Sequence, residues 1–234
     1  WSPRAEFTEA VSLVGAFRHF NSGPITVLRV PNGHYALCMH RNRPVVVTAS
    51  EGGGLFAISD GLFSFVAFRP IDSRHIEHDT LHIVRVPQGQ YACVTESDVP
   101  AFLPYGIYVF DSPTLTVHKF CPLSEESVRH QTITRFYVRA GTVGIAWKDS
   151  APVFYNDPGV YMVDSPMFHY VRSIDVSEQE ITLGSRKIIT VREGQVGISH
   201  DNGELTVLPP GRHYIEKPGH LFDEFLSTQQ ECLQ

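Results

Sequence analysis

The sequence predicts a mainly β protein: a tandem array of four small antiparallel β modules of about 54 residues, preceded by an amphipathic helix. Three observations predict it. Turn glycines recur at Gly33, Gly89, Gly141 and Gly194, separated by 56, 52 and 53 residues. A second glycine follows each of them, at Gly54, Gly106, Gly159 and Gly211, and the last three are followed in turn by Pro113, Pro166 and Pro218. Between these landmarks lie short β-branched or aromatic runs such as Thr26 to Val30 and Val143 to Trp147. Runs of that kind, bounded by Gly and Pro, read as strands joined by tight turns.

From Pro3 to Phe20 the apolar residues Phe7, Ala10, Val11, Val14 and Phe17 recur at helical spacing, with Glu6, Glu9 and Arg18 off the stripe. This predicts one amphipathic helix, so residues 1–22 are assigned to the helix and its lead-in. The β modules then span 23–78, 79–130, 131–184 and 185–234, the last with a C-terminal tail. Each opens on a β run, reaches its turn glycine and continues as x-[Tyr/Val]-[Ala/Gly], as in Gly33-His-Tyr35-Ala36 and Gly194-Gln-Val196-Gly197. Pro31 and Pro87 fit position i+1 of a β-turn whose glycine supplies φ > 0. Asp201-Asn202-Gly203 is the most explicit hairpin turn. Asp111-Ser112-Pro113 and Asp164-Ser165-Pro166 read as turns in which Asp bonds its own backbone and Pro fixes φ. Four short strands are expected in each module. The polar stretches 72–79, 124–131 and 175–180 read as connectors, and Leu221, Phe222, Phe225 and Leu226 give a weaker helical signal over 221–232. A unit this small buries little core alone, so stacking on neighbours is expected.

Composition narrows the function classes. The formal charge is 19 − 25 = −6 and no Lys/Arg run of five occurs, so the broad positive field of a nucleic-acid binder is missing and no direct nucleic-acid partner is expected. Cys38, Cys93, Cys121 and Cys232 are widely spaced without a C-x-x-C pair and read as free thiols in a reducing, cytoplasmic compartment. No apolar run approaches the ~20 residues of a membrane-spanning helix. The chain begins at Trp1 without a Met, which is expected of a piece of a longer protein.

The last module, Val191-Arg-Glu-Gly194-Gln-Val196-Gly197-Ile198 through Leu208-Pro209-Pro210-Gly211-Arg-His213 to Pro218, resembles the opening of band-7 (SPFH) domains, the group of stomatin, prohibitin and flotillin. It is similar also to repeats of the major vault protein type, which string units of about this length in tandem; the arrangement here covers roughly residues 25–225. The first three modules depart from the Leu-Pro-Pro-Gly turn, with Glu51-Gly-Gly-Gly54, Leu103-Pro-Tyr-Gly106 and Asn156-Asp-Pro-Gly159 in its place. The vault resemblance implies a structural protein whose modules pack into a shell wall. The band-7 resemblance implies a membrane-associated scaffold.

Residues with catalytic or metal-binding chemistry are few. The stretch His75-Ile-Glu77-His78-Asp-Thr-Leu-His82 has metal-like spacing, but as a connector running into a strand it lacks helical i, i+4 geometry, and no second Cys/His cluster completes it. No metal or cofactor is therefore assigned. Ser199-His200-Asp201 contains the triad residue types consecutively, where neighbours alternate sides of a strand. Gly52-Gly53-Gly54 lacks the Lys and helix of a phosphate loop. No enzyme is expected. The expected function is a scaffold that associates with itself or with other protein subunits. Its contacts are sought on the helix stripe Phe7, Val11, Val14 and Phe17 and on the tail residues Phe222, Phe225 and Leu226. A band-7-like membrane scaffold is the alternative, not favoured because the helix is not rich in Lys/Arg. A non-assembling protein-binding adaptor is the other alternative.

Overall fold

The computed structural model describes residues 19–49 and 54–228. The helix-stripe residues Phe7, Val11, Val14 and Phe17 lie outside the described residues, whereas His19 and Phe20 belong to a strand. The described chain is β throughout. The first module holds β1 (His19–Ser22), β2 (Ile25–Val30), β3 (His34–His40), β4 (Arg43–Thr48), β5 (Gly54–Ser59) and β6 (Phe63–Pro70). The second holds β7 (His75–His78), β8 (Leu81–Val86), β9 (Gln90–Glu96), β10 (Val99–Leu103), β11 (Gly106–Asp111) and β12 (Thr116–Pro122). The third holds β13 (Ser127–His130), β14 (Ile133–Val138), β15 (Thr142–Lys148), β16 (Ala151–Tyr155), β17 (Gly159–Asp164) and β18 (Phe168–Asp175). The fourth holds β19 (Glu180–Leu183), β20 (Arg186–Val191), β21 (Gln195–Asp201), β22 (Glu204–Leu208), β23 (Gly211–Glu216) and β24 (His220–Ser227).

Six strands per module replace the four expected. They form two three-stranded antiparallel sheets with one repeated order: β1-β2-β5 with β4-β3-β6, then β7-β8-β11 with β10-β9-β12, and likewise for the other two. Among the described residues no strand pairs outside its own module. The stretches read as connectors contain β7 and β13 and the first residue of β19. Each of these strands pairs with the strand that follows it, so a structural module begins several residues before the boundary read from the sequence.

The two central strands carry the core. In the first module Leu28 and Val30 of β2 meet Ala36 and Cys38 of β3, with Phe56, Phe63, Phe65 and Phe68 packed around them. The same positions supply Val84, Val86, Ala92 and Val94 in the second and Phe136, Val138 and Ala146 in the third. The small residue after the turn follows from this packing. A Cβ on Gly144 would lie 2.7 Å from Val138 Cγ2, and one on Gly197 would lie 3.2 Å from Val191 Cγ2. Glu126 closes the third module by accepting from the Tyr170 hydroxyl at 2.7 Å and from Ser173 N–H at 2.8 Å.

The turns repeat as faithfully as the sheets. Gly33, Gly89, Gly141 and Gly194 have φ of 72°, 77°, 81° and 78°. The bonds that close these turns run from His34 N–H to the Pro31 carbonyl and from Gln90 N–H to the Pro87 carbonyl. Pro31 and Pro87 therefore sit at position i, one place earlier than expected, and the glycine sits at i+2, where φ > 0 is needed. Pro166 and Pro218 do occupy i+1, within turns closed by Phe168 N–H to the Ser165 carbonyl and His220 N–H to the Lys217 carbonyl. In the Asp-Ser-Pro turns the backbone bond comes from serine instead of aspartate: Ser112 Oγ accepts from Thr114 N–H and Ser165 Oγ from Met167 N–H. Asp111 accepts from the Thr80 hydroxyl.

The helical reading of 221–232 is corrected over its described part. β24 is a strand with a bulge opposite Ile198 and Ser199, where Ser199 pairs with Phe222 and Ile198 with Glu224. The extra residue, Asp223, breaks the two-residue alternation, so Phe222 and Phe225 both face inward at a helix-like spacing of three. The sixth strand of every module carries this bulge. The chain divides into two compact units, 1–122 and 123–234, each holding two modules.

Candidate assembly surface

Alternation gives a central strand two faces, and in this protein both are used. On β8, Val84 and Val86 point into their own module, while Ile83 points out of it. Within the 1–122 unit, Ile83 and Ile76 pack against Leu37 of the first module, flanked by Tyr35 and Val46. Two polar contacts clamp this junction. His78 Nε2 donates to the Cys38 carbonyl at 2.7 Å, and Arg85 Nε donates to the Ile71 carbonyl at 3.1 Å. Burial pushes the Cys38 thiol up to about 11, which leaves it protonated and inert.

The 123–234 unit repeats the junction with different side chains. Val143 and Ile145, with Phe154 and Ile174, meet Ile181, Ile188 and Leu183 of the fourth module. Ile145 takes the position of Leu37, and Phe154 lies opposite it as Val46 lies opposite Leu37. A Cβ on Gly184 would lie 2.7 Å from the Trp147 ring, which covers the β19–β20 turn.

The same face recurs on the fourth module and is open. Ile198 pairs with Val207, His200 with Leu205 and Leu221, and Val196 with Leu226. Val207 is 53% exposed, whereas its counterpart Val46 is half-buried against the second module, and Ile198 is partly exposed where Leu37 is buried. A polar rim borders this face, with His200 Nδ1 at 2.6 Å from Asp223 Oδ2 and Lys217 bonded to Asp201. A second apolar feature recurs on the third strand of each first sheet. Leu55 on β5, Ile107 and Val109 on β11, Val160 and Met162 on β17, and Tyr214 on β23 are all more than half exposed. Contiguous exposed apolar patches on soluble proteins mark interaction sites.

The residues singled out from the sequence are distributed unevenly over these surfaces. Leu226 lies on the open face, while Phe222 and Phe225 are packed inside the fourth module against Ile189, Val191 and Leu208. Phe222 and Phe225 are thus core residues, turned inward by the bulge. Ser199 is buried and donates to the Thr206 carbonyl, while His200 and Asp201 bond Asp223 and Lys217, so these three make no triad. His78 belongs to the junction. His75 and His82 lie on the other face of their ribbon with Glu77. The exposed third-strand residues were missed in the sequence, although their alternation with Phe56, Tyr108 and Tyr161 was the available signal. Among the described residues no helix is long and apolar enough to cross a membrane.

The likeness to known proteins runs along the same modules. This chain is similar to vacuolins. It is 28% identical to Vacuolin-B of Dictyostelium discoideum over an alignment of 243 residues, which covers 99% of this chain and 33% of that protein. It is also 28% identical to Vacuolin-A of the same organism over 172 residues, covering 65% of this chain and 28% of that one. The chain thus spans about a third of the length of the curated relatives it matches. No family model and no solved structure matches it. The Vacuolin-B likeness takes in all four modules, so the β array as a whole is what is shared.

Proposed function

We propose that this chain is the β-repeat segment of a membrane-associated scaffold, whose modules stack end to end and associate side by side with other copies. The observation that carries the reading is the exposed apolar side chain on the outward face of the third strand in every module: Leu55, Ile107 with Val109, Val160 with Met162, and Tyr214. Such a group, set on an edge strand, gives each module the same apolar docking point beside unpaired backbone groups. The open face of the fourth module supports stacking, because its register equals that of the two covered junctions. The likeness to vacuolins supports the band-7-like membrane scaffold over the vault-like shell wall.

Light scattering of the chain across a concentration series tests the association. Mass above the monomer is expected, with a return to monomer in the double variant Val109→Asp, Met162→Asp. A wild-type chain that stays monomeric at high concentration overturns association and leaves a protein-binding adaptor. Flotation with liposomes tests the membrane part. Recovery of the full-length protein with lipid supports it, and its absence from the lipid fraction overturns it.

A further inference from the structure

The first hairpin of the second module differs from its counterparts in chemistry, though not in geometry. In each module the first strand pairs with the second in the same register, so His75, Glu77 and His82 correspond to His19, Asn21 and Thr26, to Ser127, Arg129 and Thr134, and to Glu180, Thr182 and Lys187. Thr26, His82 and Thr134 are each 3% exposed. The fold is therefore satisfied by a buried threonine at this position, and an imidazole there is not a packing requirement. Only the second module sets two histidines and a carboxylate on one face of the ribbon.

Their geometry suits a cation. Glu77 lies directly opposite His82, and His75 is two residues along the same strand, which places all three on one face. His75 Nε2 and His82 Nδ1 are 3.2 Å apart, and one donor atom from each of the three residues lies within 4.8 Å of the others. Zinc–nitrogen bonds of about 2.0–2.1 Å at a tetrahedral angle put two ligand nitrogens about 3.3 Å apart. The spacing of the two imidazoles is thus already that of a shared metal. Glu77 is exposed and His75 half-buried, so an ion held beside the buried His82 has a solvent side on which Glu77 supplies the third ligand and water the fourth.

We propose that His75, Glu77 and His82 form a binding site for a divalent transition metal, with zinc the best match to two imidazoles and one carboxylate. Without the ion one imidazole donates its N–H to the other across the 3.2 Å gap. Binding moves that proton to the opposite nitrogen of its own ring, so both facing nitrogens present lone pairs. The two rings, now 7° from parallel, turn those lone pairs off the line between them and onto the metal. The bound ion pins β7 to β8. Because β7 also carries Ile76 and His78, the strand it pins is one half of the junction with the first module. This proposal stands independently of scaffolding.

The test uses the full chain, stripped of metal with a chelator and titrated with Co²⁺ and then Zn²⁺. The intense visible absorption of four-coordinate Co²⁺ is expected to saturate at one ion per chain and to be displaced by Zn²⁺. His75→Ala is expected to abolish the signal and Glu77→Gln to weaken Zn²⁺ binding about tenfold or more, while His78→Gln, on the other face, retains it. His75 is half-buried and Glu77 exposed, so both variants are expected to fold, and circular dichroism checks that they do. Failure of the wild type to bind, or binding by His75→Ala or Glu77→Gln equal to that of the wild type, overturns the site.

Discussion

At Ser150 the backbone is held at φ 64°, and Asp149 before it at 51°, in the two-residue turn between β15 and β16. The corresponding turns place Arg41 and Asn42, Ser97 and Asp98, and Asn202 and Gly203 in the same left-handed pair. A side chain there costs about 1 kcal/mol relative to glycine. Ser150→Gly is therefore expected to stabilise the protein by about 1 kcal/mol, read as a higher denaturant midpoint with an unchanged slope. Glu126 gives the opposite kind of test. Burial tends to raise its carboxyl, but the bonds from Tyr170 and Ser173 and the charge of Arg139 outweigh burial and hold it below the usual carboxylate range. A carboxylate lowered in the fold stabilises it above the unfolded value, and that contribution is lost as pH falls through the folded value. Glu126→Gln is expected to cost about 1 kcal/mol at neutral pH, discounted for partial exposure. Urea titrations at successive pH values are expected to show the two proteins converging as the solution becomes acidic.

The junctions separate packing from mere apolarity at the level of the strand. Leu37 on β3 is covered by the next module, while on the matching face of the fourth module Val207, at the place of Val46, is exposed. Leu37→Ala is expected to cost about 2–4 kcal/mol, and Val207→Ala less than about 0.5 kcal/mol in a dilute monomer. Equal losses in thermal denaturation would refute the assignment of one face as buried junction and the other as open. These strands also show what was legible in the sequence. The long central strands could be read, because Thr26 to Val30 and Val143 to Trp147 carry β-branched and apolar residues on both faces and lie beside the turn glycines Gly33 and Gly141. The short first strands could not, because β7 and β13 each rest on one buried aliphatic residue, Ile76 or Val128, among polar neighbours, and β19 on Ile181 with Leu183 in a stretch of four residues. Reading β7 as a connector is also why the metal-like spacing of His75, Glu77 and His82 leads to no assignment in the sequence, since a ribbon sets ligands across two strands and a helical i, i+4 geometry is the wrong test for it. The repeated bulge had the same effect on β24 by replacing alternation with a spacing of three.

For the whole molecule, the exposed third-strand groups predict how association responds to solvent. Contacts made by Ile107, Val109, Val160 and Met162 are apolar, so assembly is expected to be little affected by sodium chloride and strengthened by sulfate. Sedimentation at several salt concentrations checks this, and dissociation by modest sodium chloride would point instead to charged contacts. Among the described residues, the confinement of strand pairing to single modules has a further consequence, in time. The widest pairing, His34 with Pro70, spans 36 residues. Closing such short loops is fast, and nothing within a module waits for residues from the next. Each module therefore completes its two sheets soon after its sixth strand leaves the ribosome, while the following module is still being made. Within each unit the outward face of the earlier module, the first or the third, remains bare until the first hairpin of its partner arrives, so the order of synthesis is also the order in which these two junctions are sealed.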